Sequence, residues 1–128
     1  MSLLSPESLA KSNTEHAHQV ALFAWAATQF NVHPVLQLMF AIPNGGLRDK
    51  ITASRLKAEG VRSGVYDIFL PASRGHWHGL FIEMKKPGEK RKPDQVLFGN
   101  AVQCQGYGAA VCEGWEKARD TILAYLNF

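Results

Sequence analysis

Charged residues interrupt two short apolar segments of this chain. The segment from Val65 to Leu70 (VYDIFL) contains Asp67, and the segment from Gly79 to Lys85 (GLFIEMK) contains Glu83. Both segments have the composition of buried β-strands. A charge inside such a strand is unfavourable unless it is paired or binds a metal ion. The two segments therefore predict strands whose charged side chains are paired with one another or with a cation.

The spacing of these charges predicts their arrangement. Glu83 and Lys85 are two residues apart, so a strand places them on the same face of a sheet. If the segments pair as an antiparallel hairpin centred on Gly75, Asp67 lies opposite Glu83, whereas a shift of one residue would place it on the other face. Facing carboxylates repel unless a divalent cation, Mg²⁺ or Mn²⁺, binds between them. Lys85 could then hold and polarise an attacking water. Taken alone, Glu-x-Lys is also typical of a solvent-facing strand.

Composition sets the class of protein. The 128 residues, of which 46% are hydrophobic and 20% charged, predict a single globular domain over 1–128, with an ordered core from about residue 13 to about residue 126. The longest apolar run, Val20 to Ala27, is too short to cross a membrane, and we expect no secretory signal. The two cysteines, Cys104 and Cys112, have no metal-ligand spacing and indicate a reducing cytoplasm. A net charge of +3 alone identifies no partner.

Turn residues and apolar periodicity predict the order α-β-α-β-β-α-β-α, typical of an α/β fold with a mixed sheet and packed helices. An irregular start over 1–11 precedes a first helix, capped by Ser12 or Asn13 and ending near Asn31. The run 35–42 (VLQLMFAI) is expected to be a buried strand, and Pro43-Asn44-Gly45-Gly46 a turn. The remaining helices are expected over residues 47–59, 93–105 and 115–126, and the remaining strands over 65–70, 79–85 and 107–112.

The order and spacing of these motifs resemble a known nuclease family. Asp67 followed by Glu83-Met84-Lys85 resembles the signature of the PD-(D/E)xK superfamily. The chain is more specifically similar to the small stand-alone VRR-NUC domains of phages and bacteria. The resemblance implies a restriction-endonuclease-like mixed central β-sheet flanked by helices. It covers about residues 15 to 113, and its matching stretches are 42–46 (IPNGG), 58–70 (AEGVRSGVYDIFL), 81–85 (FIEMK), Gln95 and the Gly106-Tyr107 turn.

The resemblance implies a set of metal ligands. Asp67 and Glu83 resemble the metal-binding carboxylates, and the backbone carbonyl of Met84 is a further ligand. Glu15 resembles an acid on the first helix that completes the metal site directly or through water. A carboxylate in the first turn of a helix also stabilises the helix dipole, so a purely structural role explains Glu15 equally well.

The resemblance implies roles for two further residues, whereas a third residue differs from the family pattern. Lys85 resembles the catalytic lysine, and Gln95 resembles a glutamine that supports the site, although a solvated helix residue explains Gln95 equally well. Tyr66 stands where the family has proline. Because the proline is not a ligand, we expect Tyr66 to serve packing, with a phenol near the cleft as the alternative.

Two groups of histidines have no assigned chemistry. His16 and His18 flank the first helix start beside Glu15, and His18 shares a helical face with it. A role near the site is possible, but exposed side chains are favoured. His76 and His78 are expected in a surface loop, since a third metal ligand is not evident.

Basic residues are grouped near the predicted site. Runs of this kind are usually solvated surface, but beside metal-binding carboxylates they also suit contacts with DNA phosphates. The backbone of the glycine turn could also bind a phosphate. The candidate DNA-binding residues are Asn44, Gly45, Gly46, Arg48, Lys50, Arg55, Lys57, Arg62, Lys86, Lys90, Arg91 and Lys92.

These features together predict a Mg²⁺- or Mn²⁺-dependent DNA endonuclease. The resemblance to the family implies products with a 5′-phosphate and a 3′-hydroxyl. Compact members of the family resemble Holliday-junction resolvases, so four-way or other branched DNA is expected before flap or general DNA. Cutting two strands symmetrically requires two sites, which predicts a homodimer. The setting implied is the cytoplasm of a bacterial or phage-infected cell. The alternative is a nuclease fold that binds DNA without catalysis, which loss of a carboxylate or the lysine would mark.

Overall fold

One mixed sheet organises the fold, and its strands lie side by side in chain order. The computed structural model describes residues 4–43 and 49–128. The strands are β1 (Phe40–Ala41), β2 (Ile68–Leu70), β3 (Leu80–Lys85) and β4 (Gly108–Glu113). The α-helices are α1 (Pro6–Leu9), α2 (Glu15–Ala27), α3 (Lys50–Ala58), α4 (Pro93–Cys104) and α5 (Trp115–Leu126), and a 3-10 helix spans Pro34–Leu38. No helix within the described ranges is long and apolar enough to cross a bilayer.

The central hairpin has the register that the charge spacing predicts. Strands β2 and β3 pair antiparallel, with Ile68 opposite Ile82 and Leu70 opposite Leu80. Asp67 immediately precedes the first of these pairs, and its side chain accepts a hydrogen bond from the Met84 N–H at 2.9 Å. The carboxylate of Asp67 is therefore directed to the part of β3 that contains the other predicted site residues.

Helix α4 connects β3 to a parallel partner. Strand β4 pairs with β3 along its whole length, from Leu80 opposite Gly108 to Lys85 opposite Glu113. A parallel pair needs a crossover connection, and α4 lies in that connection. Since α4 begins soon after β3 ends, its first turn returns to the carboxyl end of β3.

The two faces of the sheet are covered differently. Ile82 and Met84 are fully buried in one cluster with Leu22 of α2 and Ile122 of α5. Aromatic residues cover the other face, where Phe81 packs edge-on against Phe98 of α4, with ring centroids 5.2 Å apart. Successive side chains of β3 therefore point alternately to the apolar cluster and to the aromatic layer, so the strand is buried on both faces.

Tyr66 belongs to the aromatic layer, as the packing interpretation predicts. Its side chain is 1% exposed and its ring contacts Phe98. Gly99 of α4 makes this position possible, because a Cβ there would overlap the Tyr66 Oη. The phenol therefore holds α4 against the sheet.

The run 35–42 is not the buried strand that its composition predicts. Pro34 begins a 3-10 helix, and only two residues of β1 follow. The apolar side chains are not buried together, since Leu36 is 2% exposed whereas Leu38 is 55% and Phe40 is 49% exposed. Proline favours the start of a helical turn, and periodicity alone does not separate short buried strands from helices.

The beginning of the chain also differs from expectation. Residues expected to be irregular include α1, whose N-cap Ser5 accepts a hydrogen bond from Ser8 N–H at 3.2 Å. The cap of α2 is Thr14, which accepts from Ala17 N–H at 3.0 Å, rather than Ser12 or Asn13. The competing residues are all good caps, so composition could not select among them.

Candidate active site

The predicted site residues meet in one cleft at the carboxyl end of β3. The cleft has a volume of about 390 Å³. Helix α2, the segment before β2, strand β3, the connector after it and helix α4 all contribute to its wall. Its lining residues are Glu15, Ser63, Gly64, Val65, Asp67, Glu83, Lys85, Glu89, Lys92, Asp94 and Gln95.

One wall of this cleft forms because residue 64 is glycine. Gly64 has a φ of +83°, and a Cβ at this position would lie 2.5 Å from the carbonyl oxygen of Asp94. Only glycine adopts this conformation at so close a distance. The segment before β2 therefore packs directly on the first turn of α4, beside Asp67.

Three carboxylates converge in the cleft. One oxygen each from Glu15, Asp67 and Glu83 lies within 4.8 Å of the other two. Glu15 is the first residue of α2, so the Thr14 cap determines where its side chain starts. The hydrogen bond from Met84 N–H fixes the Asp67 carboxylate on the other side. Carboxylate oxygens at this spacing can share one divalent cation.

Glu83 is held by a lysine and a glutamine. Its Oε2 accepts a hydrogen bond from Gln95 Nε2 at 2.6 Å and lies 3.4 Å from Lys85 Nζ. Gln95 is fixed in turn, because its Oε1 accepts from Lys92 N–H at 2.9 Å. Glu83 and Lys85 are only 1% and 2% exposed. The pair is therefore a buried ion pair, which is stable only with further hydrogen bonds.

The other oxygen of Glu83, Oε1, is in a different environment. Within residues 4–43 and 49–128, Glu83 Oε1 is buried and accepts no hydrogen bond. A buried acceptor without a donor costs free energy, and a cation bound to Oε1 would offset this cost. The donor set consists of hard carboxylate oxygens, so the residues fit Mg²⁺ or Mn²⁺.

Burial of the carboxylates changes their acidity in the metal-free protein. Burial, together with the nearby charge of Asp67, raises the pKa of Glu83 from 4.5 to about 8. Burial and a hydrogen bond with Glu89 raise the pKa of Glu15 from 4.5 to about 7. The pKa of Asp67 is also raised by burial. Each shift shows that negative charge is unfavourable here without a cation.

Glu89 is a site residue that sequence reasoning missed. It lies in the connector between β3 and α4, and its Oε1 accepts from Lys86 N–H at 3.2 Å. Burial alone would raise its pKa, but hydrogen bonds from Glu15 and from this N–H lower it below its usual value. The available signal was that Glu89 is the only acid among five basic residues, Lys85, Lys86, Lys90, Arg91 and Lys92.

Comparisons with known proteins identify the fold. No protein-family model matches the sequence, and no curated protein matches it. Among solved structures, the chain is similar to one described as a "VRR_NUC domain protein", with a TM-score of 0.78 and 28% sequence identity. The similarity covers 89% of this chain and 88% of the other. The chain therefore has the nuclease fold of a VRR-NUC domain. The fold expected from the sequence, a mixed sheet flanked by helices, is thereby confirmed.

The candidate DNA-binding residues fall into four groups, one of which is Arg62 alone, exposed in the segment between α3 and β2. Those of α3 and those of the connector after β3 are exposed, and Lys92 also lines the cleft. Helix α3 has no buried residue. Its N-cap Asp49 accepts from Thr52 N–H at 2.7 Å. Asn44, Gly45, Gly46 and Arg48 lie outside the described residues.

The histidines divide into exposed and buried side chains. His16, His76 and His78 are exposed, in agreement with the surface interpretation. The favoured interpretation of His18 is wrong, because this side chain is only 9% exposed. His18 accepts a hydrogen bond from the N–H of Trp115, the first residue of α5.

Proposed function

We propose that this VRR-NUC domain is a Mg²⁺- or Mn²⁺-dependent endonuclease that hydrolyses phosphodiester bonds in DNA, with four-way junctions and other branched DNA as its preferred substrates. One observation carries the proposal. Three carboxylates, one with an unpartnered buried oxygen, meet a buried lysine in a single cleft of a nuclease fold. The VRR_NUC neighbour supports it further.

Each residue of the cleft has a role in this reaction. Asp67 and Glu83 would bind the cation, with Glu15 completing the site directly or through water and the Met84 carbonyl as a further ligand. A divalent cation held there would supply Lewis-acid stabilisation of the phosphate. Lys85 orients and polarises the water that attacks phosphorus. As the water oxygen bonds to phosphorus, its proton passes to solvent, the bond from phosphorus to the 3′ oxygen breaks, and that oxygen takes up a proton. The products are a 3′-hydroxyl and a 5′-phosphate.

Gln95 keeps the ion pair in the correct geometry. Its amide nitrogen donates to Glu83 Oε2, the oxygen nearest the Lys85 ammonium. With Oε2 occupied by these two donors, Oε1 remains available for a ligand in the cleft. Gln95 therefore orients Glu83 without itself reacting.

The exposed basic residues bind the DNA backbone in this proposal. The connector after β3 carries Lys86, Lys90, Arg91 and Lys92, of which Lys92 lines the cleft, and α3 carries Lys50, Arg55 and Lys57. Because phosphate contacts release counterions, the affinity for DNA should fall steeply as salt increases. These contacts position the duplex but select no base sequence, which suits recognition of DNA structure.

The proposed oligomeric state follows from the symmetric cutting of a junction. A single cleft cuts one strand at a time, whereas resolution of a four-way junction requires two cuts on strands related by two-fold symmetry. A homodimer with one cleft in each subunit meets this requirement.

Cleavage of a labelled four-way junction tests the proposal directly. Matched linear duplex and flap DNA are incubated beside it with Mg²⁺ or Mn²⁺, and wild type is compared with Glu83→Ala. Glu116→Ala is the matched control, since Glu116 is exposed on α5 outside the cleft. We expect symmetric nicking of the junction alone, lost in Glu83→Ala and retained in the control. Cleavage of all three DNAs would leave a nuclease without junction selectivity. Tight binding without any cleavage would favour the non-catalytic module.

A further inference from the structure

His18 makes two hydrogen bonds that link distant parts of the chain. Its Nδ1 accepts from the backbone N–H of Trp115 at 3.1 Å, a contact that spans 97 residues. Its Nε2 lies 2.7 Å from Asn13 Oδ1. Because Nδ1 accepts, the proton of the neutral ring is assigned to Nε2, which donates to Asn13. The ring is therefore held at both nitrogens.

One of these bonds fixes the start of α2. Asn13 has a φ of +58°. Among the described residues other than glycine, Asn13 alone has a positive φ. This conformation costs free energy unless the surroundings hold it. The next residue, Thr14, caps α2, and Glu15 follows as its first residue. The position of the Glu15 carboxylate thus depends on a backbone turn that His18 holds.

The other bond fixes the turn beyond β4. Gly114 has a φ of +89°, and its N–H donates to the carbonyl oxygen of Lys85 at 2.9 Å. A Cβ on Gly114 would lie 3.5 Å from Cε1 of His18, so the imidazole ring packs on this turn. Trp115, the partner of Nδ1, comes next. His18 therefore touches the segment that holds the carboxyl end of β3.

We propose that His18 is a positioning residue, which sets the distance between Glu15 at the start of α2 and Glu83 and Lys85 at the end of β3. The inference rests on the proposed function, because it assumes that the three carboxylates bind one cation. His18 itself does not touch the cleft. Its effect is transmitted through the Asn13 turn and through the turn that Gly114 makes against β3.

Four variants separate the two hydrogen bonds. His18→Leu removes both, His18→Asn keeps an acceptor near the position of Nδ1, and His18→Gln keeps a donor near the position of Nε2. Asn13→Gly retains the positive φ but removes the acceptor. The last three variants each keep part of the hydrogen bonding. The test therefore still works if His18→Leu does not fold.

Mn²⁺ binding is the readout, measured with MnCl₂ alone by calorimetry and by the electron paramagnetic resonance signal of free Mn²⁺. Supporting contacts around metal ligands typically change metal affinity about 10- to 100-fold. We expect His18→Leu to weaken Mn²⁺ binding about tenfold, at the lower end of this range. His18→Asn, His18→Gln and Asn13→Gly should lie between it and wild type.

Tyr125→Phe is the matched control for lost stability. The Tyr125 hydroxyl donates a buried hydrogen bond to the Ala72 carbonyl at 2.6 Å. Tyr125 lies beside Gly108, at the start of β4 and away from the cleft. We expect this variant to melt at a lower temperature but to bind Mn²⁺ as wild type does. If it weakened Mn²⁺ binding as much as His18→Leu, general loss of stability would explain both and the inference would be overturned.

A second background tests whether His18 acts through Glu15. In Glu15→Gln, the added change His18→Leu should leave Mn²⁺ affinity nearly unchanged, because the positioned group is gone. An equal loss in both backgrounds would overturn the inference. Wild-type Mn²⁺ affinity in His18→Leu would also overturn it, while leaving the proposed function intact. Failure of wild type itself to bind Mn²⁺ would instead overturn the metal-dependent function.

Discussion

The two ends of β3 use buried polar groups in opposite ways. At the end that begins with Leu80, the buried Tyr125 hydroxyl donates to the Ala72 carbonyl and stabilises the fold. At the other end, Glu83 and Lys85 are also buried, but among residues 4–43 and 49–128 no group donates a hydrogen bond to Oε1 of Glu83. The buried hydroxyl at the first end is therefore satisfied within the fold, whereas the carboxylates at the second end are suited to binding a cation.

This difference shows where the fold favours function over stability. Near the start of β3, aromatic rings pack closely, and Phe69 and Phe81 have centroids 4.5 Å apart. At the carboxyl end, burial raises the pKa of Glu83 to about 8, because its charge is poorly solvated. Perturbed carboxylates gathered in a cleft are typical of functional sites. We therefore expect substitutions at the carboxyl end to affect metal binding and cleavage, and substitutions in the aromatic layer to affect stability.

The largest expected effect concerns Lys85. We expect Lys85→Met to lower the cleavage rate at saturating Mn²⁺ by at least about 100-fold, since a positioned group that assists proton transfer typically contributes that much. Methionine has a similar length, so the side chain still fills its buried position. The measurement is single-turnover cleavage of a junction. Lys117→Met, on the exposed surface of α5, should cleave as wild type does. A rate within a few-fold of wild type would remove Lys85 from the mechanism.

The thermal shift caused by Mn²⁺ measures metal binding at the carboxyl end of β3. At a Mn²⁺ concentration about 100 times the dissociation constant, binding should stabilise wild type by about 2.7 kcal/mol. We expect Asp67→Asn to lose this stabilisation while keeping an acceptor for Met84 N–H. Asp120→Asn, an exposed change on α5, should keep it. Equal shifts in all three proteins would place Mn²⁺ somewhere other than the cleft.

Gly99→Ala tests how closely α4 packs on the aromatic layer. The added methyl group would overlap the Tyr66 Oη, and overpacking of this kind costs about 1–3 kcal/mol of unfolding free energy. Urea denaturation measures the loss. The matched background is Tyr66→Phe, which removes the overlapping oxygen and should make Gly99→Ala less costly. If the cost were the same in both backgrounds, the Tyr66 hydroxyl would not be what determines the need for glycine.

The hairpin and its charges could be predicted because local rules determine them. Alternation fixed the face of Glu83 and Lys85, and symmetry about Gly75 placed Asp67 opposite Glu83, in the register that Ile68 and Ile82 adopt. The resemblance to VRR-NUC domains added Glu15 and Gln95, which the structure brings to the same cleft. No local pattern could have joined residues that lie so far apart in the chain.

The remaining features depend on tertiary contacts that sequence patterns do not contain. His18 and the exposed His16 are two residues apart, yet His18 is buried because the turn at Gly114 packs on it. In the sequence, Glu89 is one of several charged residues in a connector that is expected to be solvated. It becomes part of the site because the folded connector brings its side chain to a hydrogen bond with Glu15. Burial likewise did not follow from apolar composition in the run after Pro34, where Leu38 remains exposed.

The smallest expected effect is the pH dependence of Glu15. Burial and Glu89 raise its pKa from 4.5 to about 7 in the folded protein, so the unfolded chain releases this proton first as pH rises. Without metal, wild type should therefore lose stability relative to Glu15→Gln between about pH 4.5 and pH 7, with a constant difference above that range. Thermal melts across pH measure this difference, with Glu116→Gln as the exposed control. Parallel curves for wild type and Glu15→Gln would show that Glu15 ionises as freely in the folded protein as in the unfolded chain. The contrast between the two ends of β3 would then depend on Glu83 and Asp67, without the first residue of α2.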